Sequence, residues 1–251
     1  MSSRAVRAIT KPSGDVTLSF VQAGRLSKMP FKDGDEVQAE EIVAYLDDRA
    51  EQARLAQIKA QSEDFTQILA SQASLAQKQV DLRKLTNAAQ VFAATELEVE
   101  HARLDVRIAE LSLDLARFEH DQAVRQLHES GIRLYEMQLK TPISGIVAQS
   151  HVEKGESVNS LDEVMRIVKT DPLWIDASIP IVQAALIKPG VQLNVTFYPP
   201  DPIRVRGRVI YVAAVADAAS NTVTVRIEVP NPSKRPAGEH VQVQCAPVPA
   251  E

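Results

Sequence analysis

The chain has a single cysteine, Cys245, so no internal disulfide can form and cysteine usage does not reveal the redox compartment. The ordinary reading of Cys245 is a half-buried strand position near the C-terminus. Phe, Tyr and Trp make up only 4% of the residues, which favours thin cores such as those of small β domains and two-helix coiled coils. No stretch approaches the ~18 apolar residues of a membrane-spanning helix. The opening Met1-Ser-Ser-Arg-Ala-Val6 lacks the apolar centre of a secretion signal. Net charge is −5, and Lys and Arg are scattered without a basic run, so nothing points to a nucleic-acid partner.

Catalytic signatures are missing as well. There is no Gly-rich phosphate loop, no Gly-x-Ser-x-Gly elbow and no Cys–His couple. The five histidines, at 101, 120, 128, 151 and 240, form no i,i+4 pair with an acidic third ligand. Met29, Met137 and Met165 are too scattered for a soft-metal site. No catalytic, cofactor-binding or metal residue is nominated.

The most informative absence is of glycine and proline. From Asp35 to Ser130 there is neither, whereas twelve of the fourteen prolines lie at Pro142 or beyond. The middle of the chain can carry uninterrupted helices, and the flanks are punctuated like β structure.

Two half-motifs bracket that middle. Gly24, Gly34 and Val37 recur at a constant offset of 121 as Gly145, Gly155 and Val158. At the same offset Leu26 matches Val147, Phe31 matches Val152, Val43 matches Val164 and Leu46 matches Ile167. One short β unit written twice predicts a single small domain assembled from two halves, with the insert between them as an arm.

The insert reads as two helices. The first, over about 48–87, is rich in Ala, Gln, Leu, Lys and Glu. Its apolar seam drifts from Leu55, Ile58, Phe65 and Leu69 to Ile68, Leu75, Leu82, Leu85 and Ala89, interrupted by Ser62, Gln72 and Gln79. The second starts near Thr95, where Thr95 and Glu98 form a capping box. Leu97, Leu104, Ile108, Leu111, Leu115 and Phe118, with His101 among them, follow three-and-four spacing and predict the seam of the pair. Gly131 is placed to end or break this helix. The expected antiparallel hairpin reaches roughly 50–60 Å at 1.5 Å per residue, with an otherwise polar surface.

The flanks alternate as strands do. Val16–Val21, Val205–Val212, Val223-Val225-Ile227-Val229 and Val241–Cys245 are joined by turn chemistry at 188–190, 198–202 and 231–238. Strands at this spacing over about 80 residues predict a small barrel or sandwich.

Further landmarks are Leu139-Lys-Thr-Pro142-Ile-Ser-Gly145, Asp171-Pro-Leu-Trp-Ile175, Pro189-Gly190, Gly207-Arg-Val209, Asn231-Pro232 and Ala237-Gly238. In this order they resemble the HlyD-like membrane fusion proteins, periplasmic adaptors of tripartite efflux and secretion pumps. The resemblance covers nearly the whole chain. It implies a mainly β fold with a long α-helical hairpin: a lipoyl-like barrel-sandwich hybrid domain plus a β-barrel domain. Residues 1–15 supply an N-terminal strand joining the β-barrel. Residues 16–47 and 139–169 are the two lipoyl-like halves, with structural glycines Gly24, Gly34, Gly145 and Gly155. Residues 48–138 are the hairpin and 170–251 the β-barrel.

The resemblance also implies partners. In that family the hairpin tip touches an outer-membrane channel through an Arg, a Leu four residues on and a Ser or Thr seven further. Thr95 matches the last position, and Glu98 and Arg103 fit the family pattern beyond it. Counting back, Ala88 stands at the Leu position and Lys84 at the Arg position, with Leu85 adjacent. The implied contact set is Lys84, Leu85, Thr95, Glu98 and Arg103. Implied partners are an inner-membrane transporter of RND or ABC type, a TolC-type channel and further copies of the chain in a ring, such as a hexamer. The implied location is the periplasm, at the inner membrane, through an anchor this sequence does not display. The family's membrane-proximal domain, built from both chain ends, is expected to be absent or cut away. No cofactor and no enzymatic activity are implied.

Two other classes remain open on residues alone. A biotin or lipoyl carrier needs a lysine where the halves join, and Asp47-Asp48-Arg49-Ala50 offers none. A coiled-coil scaffold without a transport role needs only the hairpin.

Overall fold

A computed structural model describes residues 5–198 and 202–245; most of the turn read over 198–202 lies outside them. In chain order the elements are β1 (Ala5–Ser19), β2 (Gly24–Lys28), β3 (Glu36–Val37), β4 (Ile42–Leu46), α1 (Arg49–Ser62), α2 (Thr66–Gln90), α3 (Glu96–Glu136), β5 (Gln138–Lys140), β6 (Gly145–Ser150), β7 (Ser157–Val158), β8 (Glu163–Pro180), α4 (Ile181–Ala184), β9 (Gln192–Phe197), β10 (Ile203–Asp217), β11 (Thr222–Val229) and β12 (His240–Gln244). They form two compact units: Asp47–Met137, and the flanking parts of the chain together.

In the flanking unit, strands in the order β1-β12-β9-β10-β11-β8 close into a six-stranded barrel through antiparallel pairing of β1 with β8. Period-two alternation fills its interior. Leu173, Ile175, Ala177 and Ile179 of β8 face Val225, Ile227 and Val229 of β11, with Leu193 and Val195 of β9 and Val241 and Val243 of β12, all buried. Ala184, the last residue of α4, and Ile187 beyond it join that core. Cys245 follows β12, buried, and burial pushes its thiol pKa up.

β1 and β8 run on past the barrel and pair through Val16↔Ile167, carrying the chain into the second β module. There the repeated half-motifs interlock. The Gly34 N–H donates to the Val147 carbonyl (2.8 Å) and the Gly155 N–H to the Leu26 carbonyl (2.8 Å). In return the Val147 N–H donates to the Asp35 carbonyl (2.9 Å) and the Leu26 N–H to the Glu156 carbonyl (2.8 Å). Every partner sits 121 residues from its counterpart, so each half completes the ladder of the other. Gly34 and Gly155 adopt φ +92° and +95°, the left-handed region where a side chain is strained. Leu26, Val37, Val43, Leu46, Val147, Val158, Val164 and Ile167 all bury.

The hairpin departs from expectation at three places. The first helix is two helices, broken between Ser62 and Thr66 without Gly or Pro. The Ser62 hydroxyl donates to the Lys59 carbonyl (2.9 Å), and the Asp64 carboxylate accepts from the Thr66 N–H (2.8 Å). Such local side-chain bonds offer the backbone an alternative to the helix ladder. The break explains the drifting seam. Leu55, Ile58 and Ser62 lead toward Phe65 and Leu69, but after the break Ile68, Ser71, Leu75, Leu82, Leu85 and Ala89 face inward. Phe65 and Leu69 are left exposed. Gly131 neither ends nor breaks α3, which continues to Glu136.

The third departure concerns the seam of α3. Its inward positions are Val99, Ala102, Ala109, Leu113 and Ala116, all buried. The larger residues read as that seam (Leu97, Leu104, Ile108, Leu111, Leu115 and Phe118) are between 53% and 66% exposed. The hairpin surface is therefore not polar all round.

Candidate partner-docking surfaces

At 100° per residue, a heptad series displaced by two residues lies about 200° away around a helix. The series through Leu97 and the series through Val99 differ by two. α3 is thus apolar on two opposite faces: a narrow, alanine-rich face against α1 and α2, and a broad face of large side chains turned outward. A helix apolar on both faces has room for a helix on each side. Arg125 lies over the Phe118 ring at 5.7 Å, at one end of the outward stripe.

The apex of the hairpin is built by two local motifs. α2 ends in a Schellman turn: the Ala93 N–H donates to the Ala88 carbonyl (2.8 Å) and the Phe92 N–H to the Ala89 carbonyl (3.1 Å). The residue in the left-handed position is Phe92, with φ +61° and 98% exposure. α3 then starts at Thr95. Its hydroxyl accepts from the Glu98 N–H (3.3 Å), while the Glu98 carboxylate accepts from the Thr95 N–H (2.7 Å), completing the capping box. These bonds, the backbone one first, hold the Glu98 carboxyl below the usual range.

The five residues expected at the tip do not form one cluster. Thr95 and Glu98 bind each other. Leu85 and Glu98 line a groove of about 270 Å³ with Lys78, His101 and Asp105, bridged between α2 and α3 by Lys78 and Asp105 at 2.8 Å. Arg103 is bonded to Glu100 on its own helix (2.5 Å), and Lys84 stands exposed on α2. Two surfaces escaped the sequence reading: the apex residues Val91 and Phe92, and the outward face of the α3 stripe. A fully exposed Phe in a glycine position has no periodicity to announce it. The stripe gave a signal that was assigned to the wrong side of the helix.

In the flanking unit, polar side chains act as staples. Asp176 accepts from Arg226 (2.7 and 3.0 Å) and from Lys11 (3.1 Å). Buried Asn231 donates to the Thr170 and Arg235 carbonyls (3.0 and 2.9 Å) and accepts from the Arg235 N–H (2.9 Å). Lys234 pairs with Glu36, tying the loop after β11 to the first half-motif. Among the described residues no three His, Cys, Asp or Glu converge as a metal site, and no helix is long and apolar enough to cross a membrane.

A family model described as the RND membrane fusion protein barrel-sandwich hybrid domain matches residues 14–170, and one described as the CusB-like β-barrel domain matches 172–247. The nodulation protein NolF of Rhizobium meliloti is 27% identical over 230 residues, 91% of this chain and 58% of that protein. The multidrug export protein EmrA of Haemophilus influenzae is 23% identical over 215 residues, 72% of this chain and 55% of that protein. The chain spans little more than half the length of either. The crystal structure of MacA from Actinobacillus actinomycetemcomitans superposes with a TM-score of 0.83 at 17% identity, covering 98% of this chain and 79% of that one.

Proposed function

The chain belongs to the RND membrane fusion proteins, whose barrel-sandwich model matches more than half of it, and from that membership we propose that it is a periplasmic adaptor. In this reading it links an inner-membrane transporter of RND or ABC type to a TolC-type outer-membrane channel, and substrate passes without covalent change. Residues 16–47 and 139–169 are the lipoyl-like domain and 48–138 the hairpin. Residues 170–251 with the first fifteen are the barrel. The protein works at the inner membrane, held there by an anchor.

The observation that carries the reading is the second apolar face of α3. An arm that served only to space two ends apart would turn its large side chains into its own seam. Here Leu104, Ile108, Leu111 and Leu115 face outward at heptad spacing, as lateral packing against a neighbouring copy requires. Repeated around a closed symmetry, such head-to-tail contacts give a ring, for which a hexamer is our working number. The tip then meets the channel through Lys84, Leu85, Thr95, Glu98 and Arg103.

Photocrosslinking in the native envelope tests tip docking, with the probe at Thr95 and a control at Asn194 in β9. An adduct of channel mass is expected from Thr95 and not from Asn194. Silence at Thr95, in cells that express and export the protein, would sink this placement of the contact.

A further inference from the structure

Phe92 combines two features that do nothing for the isolated chain. Its φ of +61° places it at the residue after the α2 cap, where glycine is normal because any side chain is strained there. Its side chain is 98% exposed, so no packing within the hairpin offsets that strain. Around it, residues 85–95 carry no charge, in a chain that is 24% Asp, Glu, Lys and Arg. Val91, at 72% exposed, and Leu97, on the first turn of α3, extend the patch. The charges nearest the apex are acidic, Glu96 and Glu98, while Arg83, Lys84 and Arg103 stand about two turns down the shafts.

We propose that Phe92, with Val91 beside it, is the anchor of the tip, inserting into an apolar notch with a basic or N–H-bearing rim on a partner protein. The proposal rests on the tip-docking reading and adds the residue that carries its affinity. A large aromatic at the centre of a small contact, filling a pocket, is where binding energy concentrates. The acidic collar selects the class of partner. An anionic lipid surface would meet Glu96 and Glu98 with like charge, whereas a protein notch can answer them with Arg, Lys or helix N-terminal amides. The turn itself fixes the anchor in place, because the Schellman bonds hold the Phe92 backbone and leave only its side-chain torsions to be frozen on docking.

The test uses Phe92→Gly, Phe92→Trp and the parent, each as the full chain in the native envelope with the Thr95 crosslinking probe, and each purified for thermal melting. Glycine relieves the strained position, so Phe92→Gly is expected to melt at the same or a higher temperature. Its Thr95 adduct with the channel should fall tenfold or more, about 1.4 kcal/mol, while Phe92→Trp keeps it within about twofold. An undiminished adduct from Phe92→Gly overturns the anchor and leaves tip docking standing. No adduct from the parent overturns both. A probe placed at position 92 itself separates the occupants. An adduct with a different protein is expected, whereas labelling only of lipid, or only of a second copy of this chain, overturns the protein notch.

Discussion

A methyl group added at Gly145 would stand 2.4 Å from the Val168 carbonyl oxygen and 2.9 Å from its carbon, backbone atoms of the paired strand that cannot swing aside. Gly145→Ala is therefore expected to destabilise the flanking unit by about 2–3 kcal/mol. At Gly131, inside α3, the same methyl meets nothing within 4 Å, and Gly131→Ala should stabilise by about 1 kcal/mol through helix propensity. Urea denaturation of both variants checks the opposite signs. Asp176 makes a second single-residue case. Arg226 chiefly, with Lys11, holds its carboxyl below the ordinary range against the opposing cost of burial. A carboxyl whose folded pKa lies below its unfolded ~3.9 adds stability above that value and loses it as pH falls through the folded pKa. Asp176→Asn should cost about 1–2 kcal/mol at neutral pH, and its deficit against the parent should shrink progressively below about pH 4. The single tryptophan, Trp174, lies under the Arg226 guanidinium (4.7 Å) and reports the transition by fluorescence. A deficit that stayed constant down to pH 3 would show that charge is not its source. The Thr95–Glu98 box was legible in sequence because both partners lie within one turn. Phe92 was not, because a Phe in a left-handed cap contradicts the propensity by which such turns are recognised.

Between elements, the issue is which face of α3 holds the hairpin together. Leu113 is buried against the partner helices and Leu115, two residues on, is 57% exposed. Leu113→Ala should destabilise the hairpin by about 2–3 kcal/mol. Ile108→Gln with Leu115→Gln should change monomer stability by no more than about 0.5 kcal/mol per site yet weaken self-association. Denaturation curves beside sedimentation velocity read the two effects separately. If the double variant unfolds as readily as Leu113→Ala, Leu115 belongs to the internal seam and the lateral surface is lost as a hypothesis. The same contrast explains what was legible. Three-and-four spacing marked α3 as a packing helix, but periodicity is indifferent to which side the partner takes. Ala102, Ala109 and Ala116 bring backbones close while contributing little hydrophobic signal, so the larger outward series outshone them. The break at 62–66 escaped notice because it is made by Ser62 and Asp64 bonding locally, with no Gly or Pro to mark it.

At the scale of the whole chain, the 121-residue offset was legible because each half keeps both its glycines and its apolar positions. The reciprocity was not, since nothing in one half says that its Gly34 amide will seek Val147 in the other. That reciprocity sets where an insert can be tolerated. The chain leaves the flanking unit at Leu46, the end of β4, and returns at Gln138, the start of β5, and these strands pair with Tyr45 opposite Gln138. Paired residues of an antiparallel ladder stand about 5 Å apart, a gap that a three-residue loop with glycine in its last, left-handed position closes, here Leu46 followed by Asn-Gly. The hydrogen bonds joining the half-motifs, and the buried barrel core, involve residues outside 47–137. Replacing 47–137 by Asn-Gly should therefore leave a chain that folds cooperatively, with a β-type circular dichroism spectrum and a Trp174 unfolding transition within about 1 kcal/mol of the parent's. Loss of that transition would mean that the helices help to assemble the two halves, and that the insert is a folding element rather than an arm.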